Sequence, residues 1–187
     1  MREYVRPVPG RPAGWTALGA LLLFQVACAG DGPENGGPPV NFVQASDRID
    51  TSGQPGRDWL KSAGDAGYRT VISLNPPGAD GTIKDEGGIL QAAGVDYVSI
   101  PVDWGNPTDD DFDRFRAALA ASAPGRALVH CQLNMRASAF TFLYRVIEDG
   151  ADPEAAWTRV TSVWIPDGQW RRFIDDTLQR HGQAFRP

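Results

Sequence analysis

The segment ALVHCQLNMRASAF, residues 127–140, constrains this chain more than any other. Ala127 to His130 reads as a short buried strand. Arg136 to Asp149 is helical in pattern and mostly apolar, so that helix must be central and buried. Cys131–Met135 joins the two and contains no glycine. A buried strand running directly into a buried helix belongs to a sheet covered on both faces.

The rest of the chain alternates in the same way. Asn41–Gln44, Arg48–Thr51, Thr70–Leu74 and Tyr97–Val102 are strand candidates. Helices are expected over Asp58–Ala66 and Ile83–Ala93, each weakened by internal glycine. A third starts after Thr108, an N-cap followed by Asp109, Asp110 and Asp111. Asp152-Pro153 opens another helix with proline at its first position, and a last one follows Asp167. The expectation is an α/β fold with a mostly parallel central sheet of about four to five strands, flanked by helices, with extra C-terminal helices. Ligands of such sheets bind beyond the carboxyl ends of the strands. The loops Asn75–Thr82, Asp103–Pro107 and Cys131–Met135 occupy that edge.

The front of the chain reads as an address. Arg2, Arg6 and Arg11 precede a charge-free run from Trp15 to Cys28. Fourteen helical residues cover about 21 Å, too short for a bilayer core of about 30 Å. A basic start, a short apolar run and a small-residue end describe a secretory signal over residues 1–29. Ala27-Cys28-Ala29 fits a cleavage site. Alternatively, Val26-Ala27-Cys28 resembles the end of a lipobox, which would attach a lipidated Cys28 to the bacterial envelope. Either way the protein is expected to be exported, periplasmic or lipid-anchored. Residues 30–40, rich in Gly and Pro, read as a tether. The folded domain is expected over residues 41–187.

Composition removes several functions. The net charge is −5, from 18 basic and 23 acidic residues, and three of the arginines sit in the address segment. No nucleic-acid partner is expected for so acidic a chain. Two cysteines and two histidines argue against a disulfide scaffold and a histidine-rich zinc site. No metal or cofactor is expected.

The chemistry concentrates at Cys131. It lies where a strand ends and a helix begins, beside unpaired backbone N–H groups and the positive end of the helix dipole. Such a place binds anions and favours a thiolate over a thiol. Arg136, five positions later, can grip two phosphate oxygens at once. Together they form a cradle for a tetrahedral oxyanion with a nucleophile at its floor. Among the loop residues, Asn134 best tolerates the positive φ of a tight nest. Gln132 and Asn134 offer groups that could orient a ligand or water. His130 is read as structural, fixing the loop by hydrogen bonds.

At these residues the chain resembles the cysteine-dependent protein tyrosine and dual-specificity phosphatases, whose signature is His-Cys, five residues, then Arg with Ser or Thr. It is more similar to the bacterial beta-lactamase-hydrolase-like phosphatase family, whose loop has Cys, four residues, Arg. SGQPG at 52–56, YRTVISLNPPG at 68–78 and YVSIPVDW at 97–104 share that likeness. The resemblance implies a phosphomonoester substrate, a phosphoprotein or a small molecule. Cys131 would be the nucleophile, and Arg136 with the N–H groups of Gln132, Leu133, Asn134 and Met135 would hold the phosphoryl oxygens. Asp103 would be the general acid, with Asp109, Asp110 and Asp111 as rivals. Ala137 stands where the signature has a hydroxyl, and Ser138 is next. Two other readings remain open: a rhodanese-like sulfurtransferase, and a non-catalytic module that binds phosphate or a protein partner.

Overall fold

The computed structural model describes Met1 and residues 37–187. The address segment, Cys28 and most of the tether lie outside the described residues. The fold begins with β1 (Val43–Gln44), β2 (Ile49–Ser52) and α1 (Arg57–Ser62). Next come β3 (Tyr68–Ser73), α2 (Glu86–Ala92), β4 (Asp96–Ser99) and α3 (Asp109–Ala121). It ends with β5 (Arg126–His130), α4 (Met135–Ile147), α5 (Pro153–Thr161) and α6 (Gly168–Arg180). Pro39 is already buried, and the Val40 carbonyl accepts from Gly53 N–H at 2.7 Å. Packing therefore reaches two residues into the Gly/Pro-rich stretch.

The strand order is β1-β2-β5-β3-β4. Only β1 is antiparallel, paired with β2; the β2–β5, β5–β3 and β3–β4 pairs are parallel. The mostly parallel sheet expected from the alternation is present. β5 sits at its centre and aims its last residue at the carboxyl edge, where its loop emerges between those of β2 and β3.

Alternation along β5 explains the two layers. Ala127 and Val129 face one apolar cluster with Phe112, Phe115, Phe140 and Trp170; Leu128 faces the other with Leu60, Tyr68 and Leu90. Thus α3 to α6 cover one face, and α1 and α2 the other. Each fully buried Leu or Phe contributes about 1.5–3 kcal/mol, so α4, buried at ten of its thirteen positions, is the keel of the larger layer.

Several boundaries differ from the sequence expectation. β4 stops at Ser99 rather than Val102 because Pro101 has no N–H, although Ile100 and Val102 still donate to Ser73 and Leu74 carbonyls at 2.8 and 3.3 Å. α1 ends at Ser62, four residues short of Ala66, and α2 begins at Glu86 rather than Ile83. The first strand contracts to Val43–Gln44, and Asn41 takes a φ of 52°.

Candidate active site

The cysteine loop is built between two strands and a helix start. Cys131 N–H donates to Ser52 O at 3.2 Å, and Gln54 N–H donates to Gln132 O at 3.1 Å. Gly53 lies against the loop so closely that a Cβ there would stand 2.9 Å from Gln132 O and 3.0 Å from Val40 O. No side chain fits, which is why the SGQPG turn needs a glycine at that point. Asn134 adopts φ 71°, ψ −1° and caps α4, as its tolerance of the left-handed region suggested. Its side chain is fully buried and donates to Asn41 O at 2.6 Å and Thr51 Oγ1 at 3.0 Å. The Nδ2 group of Asn134 is thus committed to locking the loop, while its Oδ1 has no hydrogen-bond partner among the described residues.

The loop leaves donors open. Among the described residues, the backbone N–H groups of Gln132, Leu133, Met135 and Arg136 donate to no backbone carbonyl; the first bond at the start of α4 is Ser138 N–H to Asn134 O at 2.9 Å. Arg136 is 8% exposed. Its Nη1 donates to Asn75 Oδ1 at 3.4 Å, and its Nε has no protein partner. Among the described residues it joins no ion pair. A buried guanidinium without a carboxylate carries a penalty of several kcal/mol. An oxyanion seated on the open amides would remove it.

Cys131 is 1% exposed, at the floor of the β5–α4 junction, and its apolar neighbours belong to the larger core layer. Gln132 and Leu133 are exposed above it; Gln132 Nε2 reaches Asp80 O at 3.1 Å on the β3–α2 loop. Met135 is half-buried. His130 is fully buried, with Nε2 3.1 Å from Glu86 Oε1. Neither ring nitrogen has a hydrogen-bond partner among the described residues, so His130 does not fix the loop by side-chain hydrogen bonds as expected, and its contact with Glu86 is one of proximity.

Asp103 stays exposed, and its Oδ1 accepts from Gly105 N–H at 2.8 Å. Its neighbour Trp104 brings this loop to the site: the Arg136 guanidinium lies 5.8 Å from the Trp104 ring centre. The three rival aspartates are engaged elsewhere. Asp111 forms a capping box with Thr108, Asp110 pairs with Arg114 at 3.1 Å, and Asp109 pairs with Arg180. Ser138 supports rather than reacts: its hydroxyl donates to Met135 O at 3.1 Å and accepts from Trp164 Nε1 at 3.2 Å.

Sequence reading missed the residues behind this front. Gln54, Asn75 and Glu86 form the wall beside Arg136. The Trp104 carbonyl accepts from Gln169 Nε2 at 2.6 Å and Trp170 Nε1 at 3.0 Å, and its ring packs on Trp164 and Trp170. The sequence signal for Gln54 and Asn75 was their place in the SGQPG and YRTVISLNPPG segments; for Glu86 there was none.

Residues 41–146 match the family model of the beta-lactamase hydrolase-like protein, phosphatase-like domain. The chain belongs to that family. A beta-lactamase hydrolase-like protein of Xylella fastidiosa is 31% identical over 112 residues, 58% of this chain and 26% of that protein. One from Agrobacterium fabrum is 30% identical over 102 residues. The chain thus spans about a quarter of the length of these curated relatives. A DUF442 protein of Shewanella putrefaciens CN-32, described as a candidate phosphatase, is 32% identical with a TM-score of 0.70, over 76% of this chain and 94% of that one. Tk-PTP, at 14% identity and TM-score 0.63 over 75% of this chain and 97% of that one, shares the fold. In beta-lactamase hydrolase-like terms this is the phosphatase-like domain, and α5 and α6 lie beyond the matched region.

Proposed function

We propose that this chain is a cysteine-dependent phosphatase acting on a phosphomonoester. The observation that carries the reading is the buried Arg136 guanidinium, without a carboxylate partner among the described residues, five positions beyond Cys131 and beside open backbone amides. The Cys131 sulfur attacks phosphorus while the bond to the leaving oxygen breaks, giving a cysteinyl-phosphate. The Arg136 fork and the amides of residues 132–136 hold the non-bridging oxygens as charge builds on them. Asp103 gives its proton to the leaving oxygen. It then takes one from the water that cleaves the sulfur–phosphorus bond, so phosphate leaves and thiolate returns. The basic start and charge-free run of residues 1–29 support export, either free or anchored through Cys28.

One pair of observations favours a second reading, a phosphate-binding module without turnover. Cys131 is almost wholly covered, and Ala137 lacks the hydroxyl that follows the arginine in the phosphatase signature. The two readings separate cleanly. The purified protein is incubated with an aryl phosphate, and in parallel with thiosulfate and cyanide. The phosphatase reading expects phosphate release that Cys131→Ser abolishes, and a fall of about 10²–10⁴-fold for Asp103→Asn. Vanadate binding without release would instead favour the binding module, and sulfur transfer a sulfurtransferase.

A further inference from the structure

Among the buried acids that the reaction above does not use, Glu86 is the one linked by side chains to Arg136. Glu86 opens α2 at 5% exposure, and His130 Nε2 lies 3.1 Å from its Oε1. Its Oε1 accepts from Gln54 Nε2 at 2.9 Å, and its Oε2 from the Tyr97 hydroxyl at 3.4 Å. Burial first, and then the charge of Glu86, push the Tyr97 phenol above its ordinary value. Gln54 Oε1 accepts from Asn75 Nδ2 at 2.9 Å, and Asn75 Oδ1 accepts from Arg136 Nη1 at 3.4 Å. Four side chains from four different segments therefore form one line ending at the phosphate-gripping arginine.

That line has a direction. A carboxylate only accepts and a guanidinium only donates. With those two at the ends, each amide between them has one permitted orientation. Turning either round would set N–H₂ against N–H, or oxygen against oxygen. Glu86 thus determines which face Asn75 shows to Arg136. We propose that Glu86 is the positioning residue for Arg136, acting through Gln54 and Asn75 to hold the guanidinium where it meets phosphoryl oxygens. This rests on the phosphatase reading for its purpose and on the hydrogen-bond line for its mechanism. The Asn75–Arg136 contact is long, so the line holds the guanidinium in place without using up its remaining donors.

The test breaks the line at Gln54, to which the proposed reaction assigns no role. In Gln54→Met, shape is kept and both bonds are lost. The affinity for vanadate and the KM for an aryl phosphate should worsen by about ten- to a hundredfold, with the larger change in KM rather than kcat. Taken alone, Glu86→Gln keeps an acceptor in place and should stay close to wild type, whereas Glu86→Leu alone should show most of the Gln54→Met loss. In an Arg136→Lys background the Gln54→Met effect should vanish, because its target is gone. An unchanged vanadate affinity in Gln54→Met, or an equal loss in the Arg136→Lys background, would overturn the proposal. Failure of the phosphatase reading looks different: wild type itself would release no phosphate. The Arg136 Nη–H signals in nitrogen-15 NMR still decide the positioning claim in that case. Slow exchange in wild type and fast exchange in Gln54→Met supports it; equal exchange in both contradicts it.

Discussion

Two arginines bracket β5, and their surroundings are opposite. Arg126, at its start, donates through Nε to Asp50 Oδ2 at 2.9 Å and meets the same oxygen through Nη2 at 2.7 Å. Its guanidinium also lies 4.5 Å from the Tyr68 ring centre, and Tyr68 donates to Asp50 at 2.7 Å. Arg136, beyond the other end of the strand, has one long bond to an amide oxygen, a Trp104 ring centre 5.8 Å away and no carboxylate among the described residues. The amino edge of the sheet is closed by its own charges. The carboxyl edge keeps a cation and a set of amides waiting. The contrast between the two arginines is what supports the proposed phosphate site at Arg136.

The largest expected effect concerns activity. Arg136→Lys, which loses the planar fork, should lower kcat/KM on an aryl phosphate by about 10²–10⁴-fold. Arg126→Lys should leave it within about threefold, since the amino edge takes no part in the chemistry. Equal losses at both positions would erase the distinction between the two edges.

Stability should separate them the other way. Arg126→Met strands the buried Asp50 and should cost about 2–3 kcal/mol in urea denaturation. That is below the roughly 3–5 of a fully buried pair because Arg126 is 37% exposed. Arg136→Met removes an unpaired buried charge and should be neutral or slightly stabilising. Vanadate at about a hundred times its Kd should add about 2.7 kcal/mol to wild type and nothing to Arg136→Met, as read by the shift in Tm.

The smallest effect is a pH dependence confined to the amino edge. Burial, then the hydrogen bond to Asp50 and that carboxylate's charge, raise the Tyr68 phenol well above its ordinary value near 10, with Arg126 pulling against them. The unfolded chain therefore loses that proton first. The contribution is complete below about pH 10 and declines as pH rises beyond it. Tyr68→Phe should flatten the alkaline fall in stability, while Arg136 variants should leave its slope unchanged.

How far the sequence reached follows from the range of each interaction. The starts of α3 and α5 are set by local chemistry: Thr108 with Asp111, and Asp152 with Ala155 N–H. Both were legible as N-caps. The left-handed Asn134 was legible for the same reason, because one residue in a glycine-free loop must take the strain. The Gln54–Asn75–Glu86 line was not. Its members are 21 and 32 positions apart, and Arg136 is 61 from Asn75. Polar residues in loops have no period to betray which ones meet. The pairing of Trp104 with α6 was hidden likewise, since a tryptophan on an inner helix face reads as core whether or not it also holds a loop.

The most direct test of the central claim is acid quenching of the protein during turnover of an aryl phosphate, followed by peptide mass analysis. The account predicts one phosphoryl group on the peptide carrying Cys131, absent in Cys131→Ser and enriched in a variant slowed at the second step. Phosphate release that continues in Cys131→Ser, with no adduct on that peptide in wild type, would contradict it.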